Sequence, residues 1–192
     1  MNEFFLASNR TISTTFLDLP IHVRQIQVKE LDEIAQMAQP VKTALDNDLN
    51  NIDAVLNGAL VECLMLVSTL CQIPHDVLSK AFLEHYDDVN VLVQLVFTVN
   101  QAYFIDTPDE VRKHKALKPD DSLTWFDTFQ FLISQGHRHD DIMNMSYGAF
   151  KGYIKAAQRS YNNQLIANAN TVRVAQHGNK QGFGKFIDGL RV

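Results

Sequence analysis

From Ala59 to Cys71 the chain is almost wholly apolar, interrupted only by Glu62 and the pair Ser68-Thr69. A run of about 13 residues falls short of the roughly 20 that a membrane-crossing helix needs. It must therefore be buried by the rest of the protein. Counting back, Ile52, Val55, Leu56, Ala59, Leu60, Cys63, Val67, Leu70 and Cys71 recur at helical spacing, and Leu64, Met65 and Leu66 carry apolar surface most of the way round. The spacing predicts one helix from about Ile52 to Cys71 in the middle of its domain. With 192 residues, 46% of them apolar, the chain has enough material to enclose it.

Ahead of that helix, residues 11–16 and 21–28 are rich in β-branched side chains, and Leu17-Asp18-Leu19-Pro20 lies between them. This predicts an N-terminal β-hairpin, with a bulge at Arg24-Gln25 to account for a one-residue slip in the alternation. The period then becomes helical from Leu31 to Leu45, where Pro40 is expected to kink or divide the helix. Pro74 is placed to open a short helix that runs to about His85. The valine-rich stretch from Asp88 to Phe104 is too long for a strand and reads as a further helix.

Thr107-Pro108-Asp109-Glu110 carries a helix-capping signal, and the polar residues 113–121 form the best linker candidate. Beyond them an amphipathic helix carrying Trp125, Phe126, Phe129 and Phe131 is expected to pack these aromatics in a core and to stop at Gly136. A turn or two follows at residues 140–145. Ser146 then caps a last helix, whose stripe Phe150, Ile154, Ala157, Tyr161, Leu165, Asn168, Val172 keeps three- and four-residue steps. The glycine-containing end, residues 178–192, reads as a mobile tail. The fold class is thus mainly α with a small N-terminal β-hairpin (α+β): residues 1–112 form a hairpin plus helical domain, 113–121 a linker and 122–192 a C-terminal helical region.

The net charge of −5 is unevenly spread. Residues 1–121 hold 9 Lys/Arg against 18 Asp/Glu, whereas residues from Lys151 onward hold 7 against 1. An acidic body with a basic arm points to an acidic partner for the arm, to the acidic half of the chain itself, or to a solvated helix whose charges keep it soluble. Cys63 and Cys71 share the apolar helix with no Cys/His set around them, which suits reduced, inert thiols and a cytosolic setting. Met1 to Leu6 lacks the basic start of a signal peptide.

No P-loop, dinucleotide fingerprint or His-Glu-x-x-His occurs, and no nucleophile, base and acid can be assembled from neighbouring motifs. His137-Arg138-His139-Asp140-Asp141 is the one cluster with metal-ligand chemistry. Its two histidines lie at a turn, however, where the acids better serve the start of a short helix. Neither a catalytic residue, a cofactor nor a metal is assigned. The order helix, Gly136 turn, short helix, long helix with Lys151, Lys155 and Arg159 four apart also fits a helix-turn-helix regulator of nucleic acid. Against that reading, Tyr147-Gly148-Ala149-Phe150 stands where base-reading polar residues belong.

Taken in order, the segment Ile21 to Leu31, the helix closing Ala38-Gln39-Pro40-Val41, the run Val99-Asn100-Gln101-Ala102-Tyr103-Phe104, and Trp125 followed by Gly136 to Ser146 and a long helix are similar to tail assembly chaperones of long-tailed bacteriophages. The resemblance implies a non-enzymatic protein of the host cytoplasm that coats the long, helical tape measure protein and helps recruit tail tube protein around it, with self-association allowed and no membrane. It also implies that residues 1 to about 112 match the part common to short and frameshifted forms, and Leu123 to Val192 the extension that grips the tape measure. An adaptable apolar stripe bordered by charge suits that task. Phe150, Ile154, Tyr161, Leu165 and Val172, with Lys151, Lys155, Arg159 and Arg173, are the expected partner-binding residues. A structural tail or baseplate component remains an alternative to the chaperone, as does the nucleic-acid regulator.

Overall fold

The computed structural model describes residues 2–107, 124–177 and 180–190. The chain is mainly helical with one two-stranded antiparallel sheet near its start, and it divides into two compact units, Met1–Gly152 and Tyr153–Val192. The capping signal at 108–110 and the linker candidate at 113–121 lie outside the described residues.

The first unit opens with a short helix, α1 (Glu3–Ala7), whose cap Asn2 accepts the Phe5 N–H at 2.8 Å. The hairpin follows as β1 (Ile12–Phe16) and β2 (Leu19–Val23), in register from Ile12↔Val23 to Phe16↔Leu19. Its two-residue turn places both Leu17 and Asp18 at positive φ, the sense of turn that matches strand twist. Leu17 offsets that strain by packing against the core. The expected bulge at Arg24-Gln25 is absent because β2 ends at Val23. The slip in the alternation marks the strand's end, where Arg24 N–H turns to the Leu70 carbonyl at 3.1 Å.

Helix α2 (Leu31–Leu45) runs unbroken through Pro40. The carbonyl that Pro40 leaves without its amide partner belongs to Gln36 on the exposed face, and Ile34, Ala38, Val41 and Leu45 form the buried stripe. The single helix expected over residues 52–71 is instead two, α3 (Ile52–Gly58) and α4 (Leu60–Cys71), bent by 111° at Ala59. Gly58, a poor helix former, precedes the bend, and the bend lets both pieces bury apolar faces in one core. Helix α4 is central but not enclosed all round, since Val61 and Met65 are exposed.

Helix α5 (His75–Glu84) starts after Pro74, as expected, and α6 (Tyr86–Val99) packs beside it. The helix expected to reach Phe104 breaks at Asn100, leaving α7 (Gln101–Phe104) as a separate turn. Phe97 and Phe104 meet here, ring centroids 4.9 Å apart and both fully buried.

Among the described residues, the buried polar residues are Gln25, Asn100 and Ser146, and all three lie in or beside the extended segment 24–28. Asn100 accepts the Ile26 N–H at 2.7 Å and donates to the carbonyls of Arg24 and Val96. Gln25 donates to the carbonyls of Phe5 and Arg10, both at 3.0 Å. Ser146 sits opposite Gln27 in an isolated antiparallel bridge, flanked by Val28 N–H to Met145 O at 3.0 Å and Tyr147 N–H to Ile26 O at 2.8 Å. Burying a polar group costs free energy unless it is bonded, and each of these is bonded.

Helix α8 (Trp125–Ser134) begins with a capping box in which Thr124 and Asp127 bond reciprocally, which holds the Asp127 carboxyl below its ordinary pKa. It stops at Gly136, whose φ of 96° is open to glycine and strained for other residues. Helix α9 (His139–Asn144) packs against α8 and against the 3-10 turn Val28–Glu30. Helix α10 (Tyr147–His177) spans 31 residues, and the division between the two units falls within it. The expected mobile tail is helical instead, as α11 (Lys180–Leu190). Phe183, Phe186, Ile187 and Leu190 recur there at three- and four-residue steps, and this outweighs the glycines.

Candidate partner-binding surface

Helix α10 is anchored before it is exposed. Ser146 caps it, accepting the Ala149 N–H at 3.2 Å while donating to Leu6 O at 2.8 Å. Gly148 lies so close to Leu6 that an added Cβ would meet Leu6 Cδ2 at 2.8 Å. Phe150, expected on the binding stripe, is buried in the first unit between Trp125 and Phe129, with ring centroids 5.9 and 6.0 Å away. Lys151, also expected there, donates to Ala102 O at 3.1 Å and stands 5.6 Å from the Tyr147 ring centroid. Both residues fasten the helix and are not part of its outward face.

The rest of the stripe lies in the second unit. Ile154 is half-buried, and Lys155 and Arg159 are exposed. Tyr161, Leu165 and Val172 are each about half exposed, at 47%, 49% and 54%, and Arg173 is exposed beside them. Leu165 and Val172, seven residues apart, share one side of the helix, whereas Ile166, at 60% exposure, lies roughly 100° round the axis from them, on the side of Arg159 and Arg173. Arg159 and Arg173 lie fourteen residues apart, on nearly the same face, about 21 Å along the axis. Residues 160–172 contain no charged side chain, so the two arginines bracket an apolar and amide-rich surface.

Other sites raised by the sequence take different places. Trp125 and Phe126 are 52% and 83% exposed, so the aromatic helix is only partly a core helix, and Leu132 is its fully buried residue. His137 and His139 flank the start of α9, with the His139 ring edge-on to Phe129. Among the described residues no group of three or more His, Cys, Asp or Glu side chains could hold a metal ion. Cys63 and Cys71 are free thiols, and burial pushes both up to about 12, with Arg24 partly opposing the shift at Cys71. A small recess beside Leu6, Asn100, Tyr103 and Gly148 shares its walls with the stitched segment, and burial there raises the Tyr103 hydroxyl. The turn that would read bases in a helix-turn-helix protein, at the start of α10, is packed against Leu6 and buried at Ala149 and Phe150. Among the described residues no single helix is long and apolar enough to cross a membrane. No protein-family model, curated protein or solved structure matches the chain.

Proposed function

We propose that this protein is a non-enzymatic assembly chaperone that acts in the host cytoplasm, binds the tape measure protein of a long-tailed bacteriophage and helps tail tube protein assemble around it. The observation that carries this reading is the exposed run of α10, where Leu165, Ile166 and Val172 present apolar surface between Arg159 and Arg173. A solvated helix has no need of such a stripe, whereas a surface that holds an amphipathic helix does. Ser146, Phe150 and Lys151 hold the start of α10 within the first unit and so leave the stripe residues further along the helix for the partner.

The test is co-expression with an otherwise insoluble tape measure protein. The intact chain is expected to keep that partner soluble. A variant carrying Leu165→Glu and Val172→Glu, or one truncated after Tyr161, is expected to lose this. Equal rescue by either altered chain overturns the assignment of α10 as the binding surface.

A further inference from the structure

We propose that a second copy of this chain docks the basic side of its α10 on an acidic, partly apolar corner of the first unit, so that copies associate head to tail. The corner lies where α5 gives way to α6. Leu83 is 83% exposed, Tyr86 42% and Val91 70%, an unusual density of bare apolar surface for nine consecutive residues. The Phe82 ring stands edge-on to Tyr86 at 5.4 Å, and the Tyr86 hydroxyl reaches Asp53 of α3 at 3.5 Å. Glu84, Asp87 and Asp88 come from the same short stretch. Lys80 stands 3.9 Å from Glu84, and His85 lies 4.0 Å from Asp88, so the corner stays net negative.

The exposed side of α10 is its complement in both respects. Arg159 and Arg173 lie on one side of the helix with Ile166 midway between them, and Leu165 and Val172 lie roughly 100° round the axis, whereas the corner offers exposed apolar side chains close in sequence to three carboxylates. Complementary charge steers and orients such a contact, and the apolar residues hold it. The occupant is argued from the chain's own charge: its first 121 residues carry twice as many acids as bases, and its last 42 carry seven bases to one acid. Two copies therefore bring matched surfaces together at equal stoichiometry. Because corner and helix are different surfaces, each contact leaves one of each unused, and association propagates.

The purified full chain alone tests this, so the outcome is separable from any failure of the tape measure assignment. Sedimentation velocity at rising concentration is expected to show mass growing beyond 21.8 kDa. Association is expected to weaken about tenfold between low and high salt, as screening shortens the reach of exposed charges. Two variants at exposed positions, checked for unchanged thermal melting, then identify the surfaces. A corner variant carries Leu83→Lys and Asp87→Lys, and a helix variant carries Arg159→Glu and Arg173→Glu. Each alone is expected to stay monomeric. Mixed, they retain one good helix and one good corner, and are expected to form a one-to-one dimer that grows no further. A wild-type chain that stays monomeric, association that survives in either variant, or a mixture that forms no dimer overturns the proposal.

Discussion

The two units treat apolar surface in opposite ways. In Met1–Gly152 the large side chains Phe97, Phe104, Leu66, Leu70 and Ile34 are buried, and even the polar groups that penetrate that core are bonded. In Tyr153–Val192 the residues Leu165, Ile166, Val172 and Phe183 remain between 44% and 60% exposed. The first unit buries these side chains because its helices are short and meet at bends, although Leu83, Val91 and Phe126 of the same unit stay exposed. Helix α10 continues for 31 residues, and a long helix buries its face only where something lies alongside. The contrast separates residues that hold the fold from residues that stay exposed on α10.

Truncating a core ring is the strongest way to probe the first half of that contrast. Phe97→Ala empties space at the contact with Phe104 and is expected to cost about 3–5 kcal/mol, read as a shift in the urea midpoint. A cost under about 1 kcal/mol means that the core is not closed there. Asn100→Leu comes next. It keeps the volume but strands the Ile26 amide and the Arg24 carbonyl, with an expected loss of about 1–3 kcal/mol. Hydrogen exchange at Ile26 should speed up more than at the α4 core amides. Uniform acceleration would show that Asn100 does no local stitching.

Much of the first unit was legible because its signals are local. The β-branched residues flanking Leu17-Asp18 mark the hairpin, and the stripe Ile34, Ala38, Val41, Leu45 marks α2. The bends were not legible. Across Gly58-Ala59 apolar residues continue on both sides, so periodicity persists although the axis turns by 111°. At Asn100 a single polar residue inside a valine-rich run was the one sign of a break, and its meaning lies in Arg24 and Ile26, over seventy positions away. Helix α11 was hidden by weighting its glycines above the spacing of Phe183, Phe186 and Ile187. Of the expected binding residues, Tyr161, Leu165 and Val172 are about half exposed, whereas Phe150 packs with Trp125 and Phe129, which the stripe order could not show.

The buried thiols give a pH-dependent version of the same probe. Both cysteines stay protonated in the fold up to about 12, whereas an unfolded thiol ionises near 9.0. Their contribution is complete below pH 9 and declines above it, because the unfolded chain gains charge that the core refuses. For Cys63 the loss approaches about 1 kcal/mol per unit of pH above 9. The urea midpoint is expected to fall between pH 8 and pH 10, and a Cys63→Ala, Cys71→Ala variant should fall less. If the variant falls equally, tyrosines or lysines govern the alkaline limit and the cysteines are not sealed.

The smallest effect is the most discriminating, because it asks whether the stripe belongs to the fold at all. Leu165→Ala removes as much apolar surface as many core truncations, and in the first unit such a change would cost several kcal/mol. On α10 the side chain is already half in water, and alanine is a slightly better helix former than leucine. The two terms oppose each other, so the expected change is within about 0.5 kcal/mol, with helical circular dichroism preserved. A loss above about 1 kcal/mol would mean that Leu165 packs within the chain more tightly than its exposure allows. In that case the contrast between a closed unit and an offered helix would fail at the residue where it matters most.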